Sequence, residues 1–141
     1  MPNLSDIPEG YTIIRKDRTE AFKTIYKKQS GGRVAIIHKS NLQISKKIKL
    51  SDPVEDILWV QVNGKKSLTL GVIYNPDYSD MLNDDETESL LESNIRQVVE
   101  ISKNIHIVGD LNVNMQKKED KNTQTLSTIY KSYGLTQHIV T

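Results

Sequence analysis

The chain has 141 residues, enough for one domain with a real core, and 36% hydrophobic against 26% charged residues exclude a low-hydrophobicity disordered chain. It contains no cysteine, which excludes a disulfide framework, a cysteine-based zinc site and a thiol nucleophile. The formal net charge of +1 hides a segregation: residues 15–49 carry eleven Lys or Arg against Asp17 and Glu20, while residues 77–100 carry eight acids against Arg96. A basic segment of that density is suited to a phosphate backbone, and two solvated surfaces of opposite sign are the plainer reading. The apolar runs are short, as in Val34-Ala35-Ile36-Ile37, so no membrane span is expected. The first six residues carry neither a basic n-region nor an apolar h-region, which predicts a nuclear or cytoplasmic protein that is not secreted.

In chain order, the β-branched and aromatic run Tyr11 to Lys16 predicts a strand. Residues 17–32 are polar, end in Ser30-Gly31-Gly32 and read as a mobile loop. Arg33 to His38 is an apolar strand, and Leu42, Ile44, Ile48 and Leu50 mark an edge strand interrupted by lysines and broken at Pro53. Ile57 to Val62 gives the next strand, with Asn63-Gly64 as a hairpin signal and Ser67 to Tyr74 as its return. Leu68, Leu70, Val72 and Tyr74 share one face, with Gly71 and Ile73 on the other, so both faces are expected to be covered.

The period then changes. Asp85 with Glu88 predicts a helix start, and Leu91, Ile95, Val98 and Val99 form one helical stripe. Asn104 to Gly109 returns to strand. A second helix is expected from about Thr123, with Leu126, Ile129, Tyr130 and Tyr133 as its stripe and Gly134 as its C-terminal cap. The expected class is mixed α/β (α+β), with a largely antiparallel sheet and helices packed on it. The chain reads as a single domain over residues 1–141.

The sharpest local feature is Ile-Val-Gly-Asp-Leu-Asn at 107–112. A strand delivers a glycine, an acid and, two residues on, an amide. In an extended segment Asp110 and Asn112 point the same way. The acid suits a hard metal ion or water activation, and the amide suits a phosphoryl oxygen. By themselves these residues more readily spell an ordinary turn, since Gly, Asp and Asn are the commonest turn residues. Tyr74 ends its strand before Pro76, where its hydroxyl can meet a phosphate or simply face solvent, and Asn75 reads as a turn residue. His38, His106 and His138 show no ligand spacing, and Trp59 reads as core. No phosphate loop, dinucleotide fingerprint or nucleophile elbow is present.

Five segments, in order and at similar intervals, resemble the endonuclease/exonuclease/phosphatase family, above all its branch encoded by non-LTR retrotransposons. They are Gly-Tyr-Thr-Ile-Ile-Arg-Lys-Asp-Arg (10–18), Gly-Gly-Arg-Val-Ala-Ile-Ile (31–37), Gly-Val-Ile-Tyr-Asn-Pro (71–76), Ile-Val-Gly-Asp-Leu-Asn (107–112) and Tyr-Gly-Leu-Thr-Gln (133–137). The resemblance spans roughly residues 4–141. It implies a two-sheet α/β sandwich of the DNase-I-like type and phosphodiester hydrolysis of DNA with magnesium or manganese. By position, Asp110 matches the water-orienting aspartate, Asn112 the asparagine that holds the scissile phosphate, and Tyr74 a tyrosine that contacts it. Arg15, Arg18 and Arg33 are the corresponding candidates for nucleic-acid contact.

The departures from that family matter as much. Its metal-binding glutamate follows an early strand upstream of the Gly-Tyr-Thr segment, and Glu9 lies too close to Gly10 to be that residue. Its late aspartate and terminal Ser-Asp-His segment have no match before Thr141, and His138 is not in such a motif. Arg33, Leu111 and Asn75-Pro76-Asp77 replace more typical residues. No set of metal ligands follows from the sequence. The expectation is a domain incomplete at both ends, with little or no nuclease activity alone and a tendency to self-associate or to need missing segments of a longer protein. The competing expectations are a non-catalytic remnant that binds nucleic acid through residues 15–49, and an interaction domain that keeps the motifs only as structure.

Overall fold

The computed structural model describes residues 7–16, 34–45, 48, 50, 56–75, 81–83 and 88–138. Among these, six strands and two helices follow in the order β1 (Tyr11–Lys16), β2 (Val34–Lys39), β3 (Ile44–Ser45), β4 (Ile57–Val62), β5 (Leu68–Tyr74), α1 (Leu90–Ile101), β6 (Ile105–Asp110) and α2 (Lys121–Ser132). The expected loop over 17–32 and the candidate residues Arg18 and Arg33 lie outside the described residues, as does Asp85.

Strands β1 and β2 form a two-stranded antiparallel sheet, and β3-β4-β5-β6 form a second sheet in that order. Three of the pairings are antiparallel, and β5–β6 is parallel because helix α1 carries the chain back between them. The larger sheet is covered on both faces. Ile57, Trp59 and Ile73 meet Leu91, Ile95 and Val98 of α1 and Leu126 and Ile129 of α2. The alternate residues Leu58 and Val60, with Leu70, Val72 and Tyr74 beside them, pack against Ile14, Val34 and Ile36 of the small sheet. The result is a helix layer and two sheet layers, a partial sandwich of the DNase-I-like type.

Period-two alternation explains this division. Each residue step along β4 sends the next side chain to the other layer. Trp59 and Gly71 are register partners, and a Cβ at Gly71 would lie 2.5 Å from the Trp59 ring. The glycine is therefore the space the indole occupies. Trp59 is not only packing, since its Nε1 donates a 3.0 Å hydrogen bond to Asn94 Oδ1 inside the core.

Several local details differ from the sequence reading. The β4–β5 hairpin closes through Asn63 to Ser67, because Val62 pairs with Leu68. The expected hairpin thus forms, with a five-residue loop in which Gly64 is not among the positive-φ glycines. The edge strand is short: Ile44 and Ser45 pair with β4, Ile48 donates its N–H to Trp59 O at 2.9 Å, and Leu42 is exposed. Ile44 packs on the small-sheet side whereas Ile48 and Leu50 pack on the helix side.

Helix α1 begins at Leu90 rather than near Asp85. Ser89 caps it by accepting the Glu92 N–H at 3.1 Å, in a Ser-x-x-Glu pattern. Val99 is 38% exposed and falls off the predicted stripe. Helix α2 starts two residues before Thr123 and ends as expected at Gly134, whose φ is +70°. Leu135 N–H bonds Tyr130 O at 2.7 Å across that glycine, which is the Schellman arrangement. Among the described residues no helix is long and apolar enough to cross a membrane.

Candidate functional site

The candidate residues collect where the parallel strands β5 and β6 end. Tyr74 and Asp110 are register partners, the last residues of their strands. Neighbours at matched register point to the same side, about 4.8 Å apart along the hydrogen-bonding direction. That side is the one turned toward the small sheet, where Tyr74 packs at the margin of the inter-sheet core. Asp110 is exposed. A phenol and a carboxylate thus share one strand mouth.

The close approach of β6 to β5 depends on Gly109. Its φ is +134°, and a Cβ there would collide with the carbonyl oxygen of Ile73. The glycine of the Gly-Asp-Leu-Asn run is therefore a backbone requirement of this strand pair, which is how Asp110 comes to lie beside Tyr74.

Beyond Asp110 the extended-strand expectation fails. Asn112 has φ +54°, so alternation no longer relates it to Asp110. The two are joined instead by an Asx turn in which Asn112 N–H donates to Asp110 Oδ1 at 2.8 Å. The turn and the candidate site are one feature, since the carboxylate that would serve chemistry also fixes the asparagine two residues on. Leu111, Val113 and Met115 pack against the helix-side core, and Asn112 and Asn114 between them are exposed. Asn114 is held by its own carbonyl, which accepts from Thr123 Oγ1 at 2.9 Å, and its Oδ1 accepts from Gln116 N–H at 3.0 Å.

The sequence reading missed Asn75. Read only as a turn residue, it is in fact buried. Its backbone N–H continues the ladder to Asp110 O at 2.8 Å, and its Nδ2 donates to Leu111 O at 2.8 Å. Its position directly after the strand-end tyrosine was the available signal, but its burial depends on the neighbouring loop.

Arg15 stands apart from this group. It alternates with Ile14, whose side chain enters the inter-sheet core, so it faces the outer side of the small sheet beside Ala35. His106 is exposed on β6, with Nε2 3.1 Å from Asn104 Oδ1. Val108, on the same face as Asp110, is 51% exposed. A shallow groove of about 260 Å³ lies in the helix layer, lined by Glu92, Lys121, Gln124, Thr125, Thr128 and Ile129, and does not include the strand mouth.

The donor set was weighed against a divalent ion. Among the described residues no three or more Asp, Glu or His side chains converge to hold a metal. Asp110 brings one carboxylate, already accepting one backbone hydrogen bond. Hard cations take several oxygen ligands. The described side chains do not by themselves make a metal centre.

No protein-family model matches the sequence, and no curated protein matches it. Solved structures do match. One is the endonuclease domain of TRAS1, a telomere-specific non-LTR retrotransposon, at 15% identity and a TM-score of 0.63. The match covers 90% of this chain and 54% of that one, so the chain spans about half the length of the domain it is similar to. Over the matched residues, the chain has the fold of that retrotransposon endonuclease domain.

Proposed function

We propose that the chain carries part of a DNA phosphodiester-cleaving site of the endonuclease kind, at the mouth of β5 and β6. The observation that carries this reading is the register pairing of Tyr74 with Asp110 in a fold matched by a retrotransposon endonuclease domain. In this reading the Asp110 carboxylate orients the attacking water and holds Asn112 through the Asx turn. The Tyr74 hydroxyl and the Asn112 amide donate hydrogen bonds to phosphoryl oxygens. Such fixed donors act mainly on charge that develops in the transition state, and losing one costs on the order of 10²–10³ in rate. A magnesium or manganese ion, when bound, would supply charge neutralisation at the phosphate. The one described carboxylate implies weak cleavage by this chain alone.

The test is nicking of supercoiled plasmid with magnesium, beside an EDTA control and Asp110→Ala. Nicking that both controls abolish supports the reading, and equal nicking by Asp110→Ala discards this site. A second reading is favoured by the charge of residues 15–49: binding of nucleic acid without cleavage. Its mark is an affinity that falls steeply with salt in a chain that does not nick.

A further inference from the structure

We propose that Asn75 is a positioning residue that fixes the β6 exit for Asp110 and Asn112, an inference that rests on the phosphodiester reading of that site. Asn75 is 6% exposed and follows Tyr74 directly. One side of its amide is committed, because Nδ2 donates to Leu111 O at 2.8 Å. Leu111 is the residue between Asp110 and Asn112, so this bond grips the middle of the Asx turn. The backbone bond from Asn75 N–H to Asp110 O holds the residue before it. Two consecutive carbonyls of the turn are thus tied to one residue of the neighbouring strand.

The other side of the amide is the informative one. Oδ1 is buried and, among the described residues, has no hydrogen-bond partner. Turning the amide over would set that oxygen against the Leu111 carbonyl, so the stranded acceptor is the cost of the Leu111 bond. Buried unsatisfied acceptors are few in native proteins and ask for a reason. An apolar residue of similar volume would remove the stranded acceptor but would also leave the Leu111 carbonyl without this donor. Control of the turn that carries Asp110 is the benefit that the bond geometry offers in return.

Asn75→Leu in the full chain tests this, since it keeps the volume and removes both polar atoms. The expected result is a folded protein whose kcat for plasmid nicking falls about 10²-fold with KM within twofold. Amide hydrogen exchange at Asn112, measured by NMR, should quicken at least tenfold, because the loosened turn releases its bond to Asp110. Asn75→Asp repeats the test with the same shape, replacing the amide donor toward Leu111 by a carboxylate oxygen that repels that carbonyl. An unchanged kcat in either folded variant overturns the proposal. If the native chain itself does not nick, the phosphodiester reading fails separately, and exchange at Asn112 decides the positioning role. Quickened exchange supports it, and unchanged exchange in both variants overturns it.

Discussion

Tyr74 and Asp110 are register partners at the ends of two parallel strands, although 36 residues separate them in the chain. The pairing makes a specific ranking of substitutions. Asp110→Asn keeps an oxygen that accepts the Asn112 N–H, so the turn survives and only the charge is lost. Nicking should fall by about 10²–10⁴-fold, the range of a lost general base. Tyr74→Phe removes one fixed neutral donor to the phosphoryl group and should cost about 10²-fold, the low end for such a donor. Plasmid nicking with matched circular dichroism spectra checks both, and a larger loss for Tyr74→Phe than for Asp110→Asn would reverse the assigned roles.

Gly109 should be intolerant of any side chain. Its φ of +134° and the Ile73 carbonyl oxygen both oppose a Cβ. Gly109→Ala should destabilise by at least the ~1–3 kcal/mol typical of a sparsely populated backbone conformation, since the collision adds to the strain. Urea unfolding measures it. Gly134→Ala is the comparison, with φ +70° but open space around the added methyl, and should cost less.

The Trp59–Asn94 hydrogen bond joins the sheet to α1 in the interior. Asn94 also donates from Nδ2 to Leu90 O at 3.1 Å. Asn94→Leu leaves the indole N–H buried without that acceptor, and should cost about 1–3 kcal/mol. Trp59 is the chain's one tryptophan, so its fluorescence reports on this site alone. The emission should shift in the folded variant as well as in the unfolding midpoint.

Glu88 and Arg96 form an exposed ion pair at 2.7 Å across the start of α1. The hydrogen bond from Arg96 holds the Glu88 carboxyl below its usual range, against a small opposing effect of burial. A lowered carboxyl stabilises the fold above its unfolded pKa, and that contribution is lost as pH falls through the folded value. Both side chains are more than a third exposed, so solvent and salt screen the pair. Thermal melts of Glu88→Gln should therefore trail the native chain slightly at neutral pH. The gap should close on acidification or at about 0.5 M salt, where the Debye length is about 4 Å.

How much of this was legible in the sequence varies by element. Strand β4 and the return strand β5 were readable from alternation, because both faces are buried and each parity has its own apolar set. The resemblance located Tyr74 and Asp110, while their adjacency required a parallel pairing that no local pattern encodes. Asn112 was misread because the alternation rule was carried past the strand end, although asparagine is a common non-glycine residue at positive φ. The cap of α1 was written in Ser89 and Glu92, but the acids upstream supplied a competing start signal. For Asn75 the only signal was its place directly after the strand-end tyrosine, since its bonds to Asp110 O and Leu111 O depend on the β6 exit and sequence gives an asparagine before proline only turn character.

Tyr133 supplies an alkaline counterpart to Glu88. It is half-buried just beyond the end of α2, and its hydroxyl donates to Glu92 Oε1 at 3.3 Å. Burial raises its pKa above the usual value, and the neighbouring Glu92 charge and that hydrogen bond raise it further. The sign is opposite to that of a paired carboxylate. A group whose folded pKa is raised stabilises fully below its unfolded pKa, about 10 for tyrosine, and the contribution fades as pH climbs through the folded value. Tyr133→Phe should cost no more than about 0.5–1.5 kcal/mol at pH 7, where one long hydrogen bond is lost. As pH climbs past about 10 the unfolded chain sheds this proton before the folded one does, while the phenylalanine variant has no such group. Unfolding midpoints of the two proteins should therefore converge as pH rises from 8 to 11, and parallel curves would show that Tyr133 ionises no later in the folded chain than in the unfolded one.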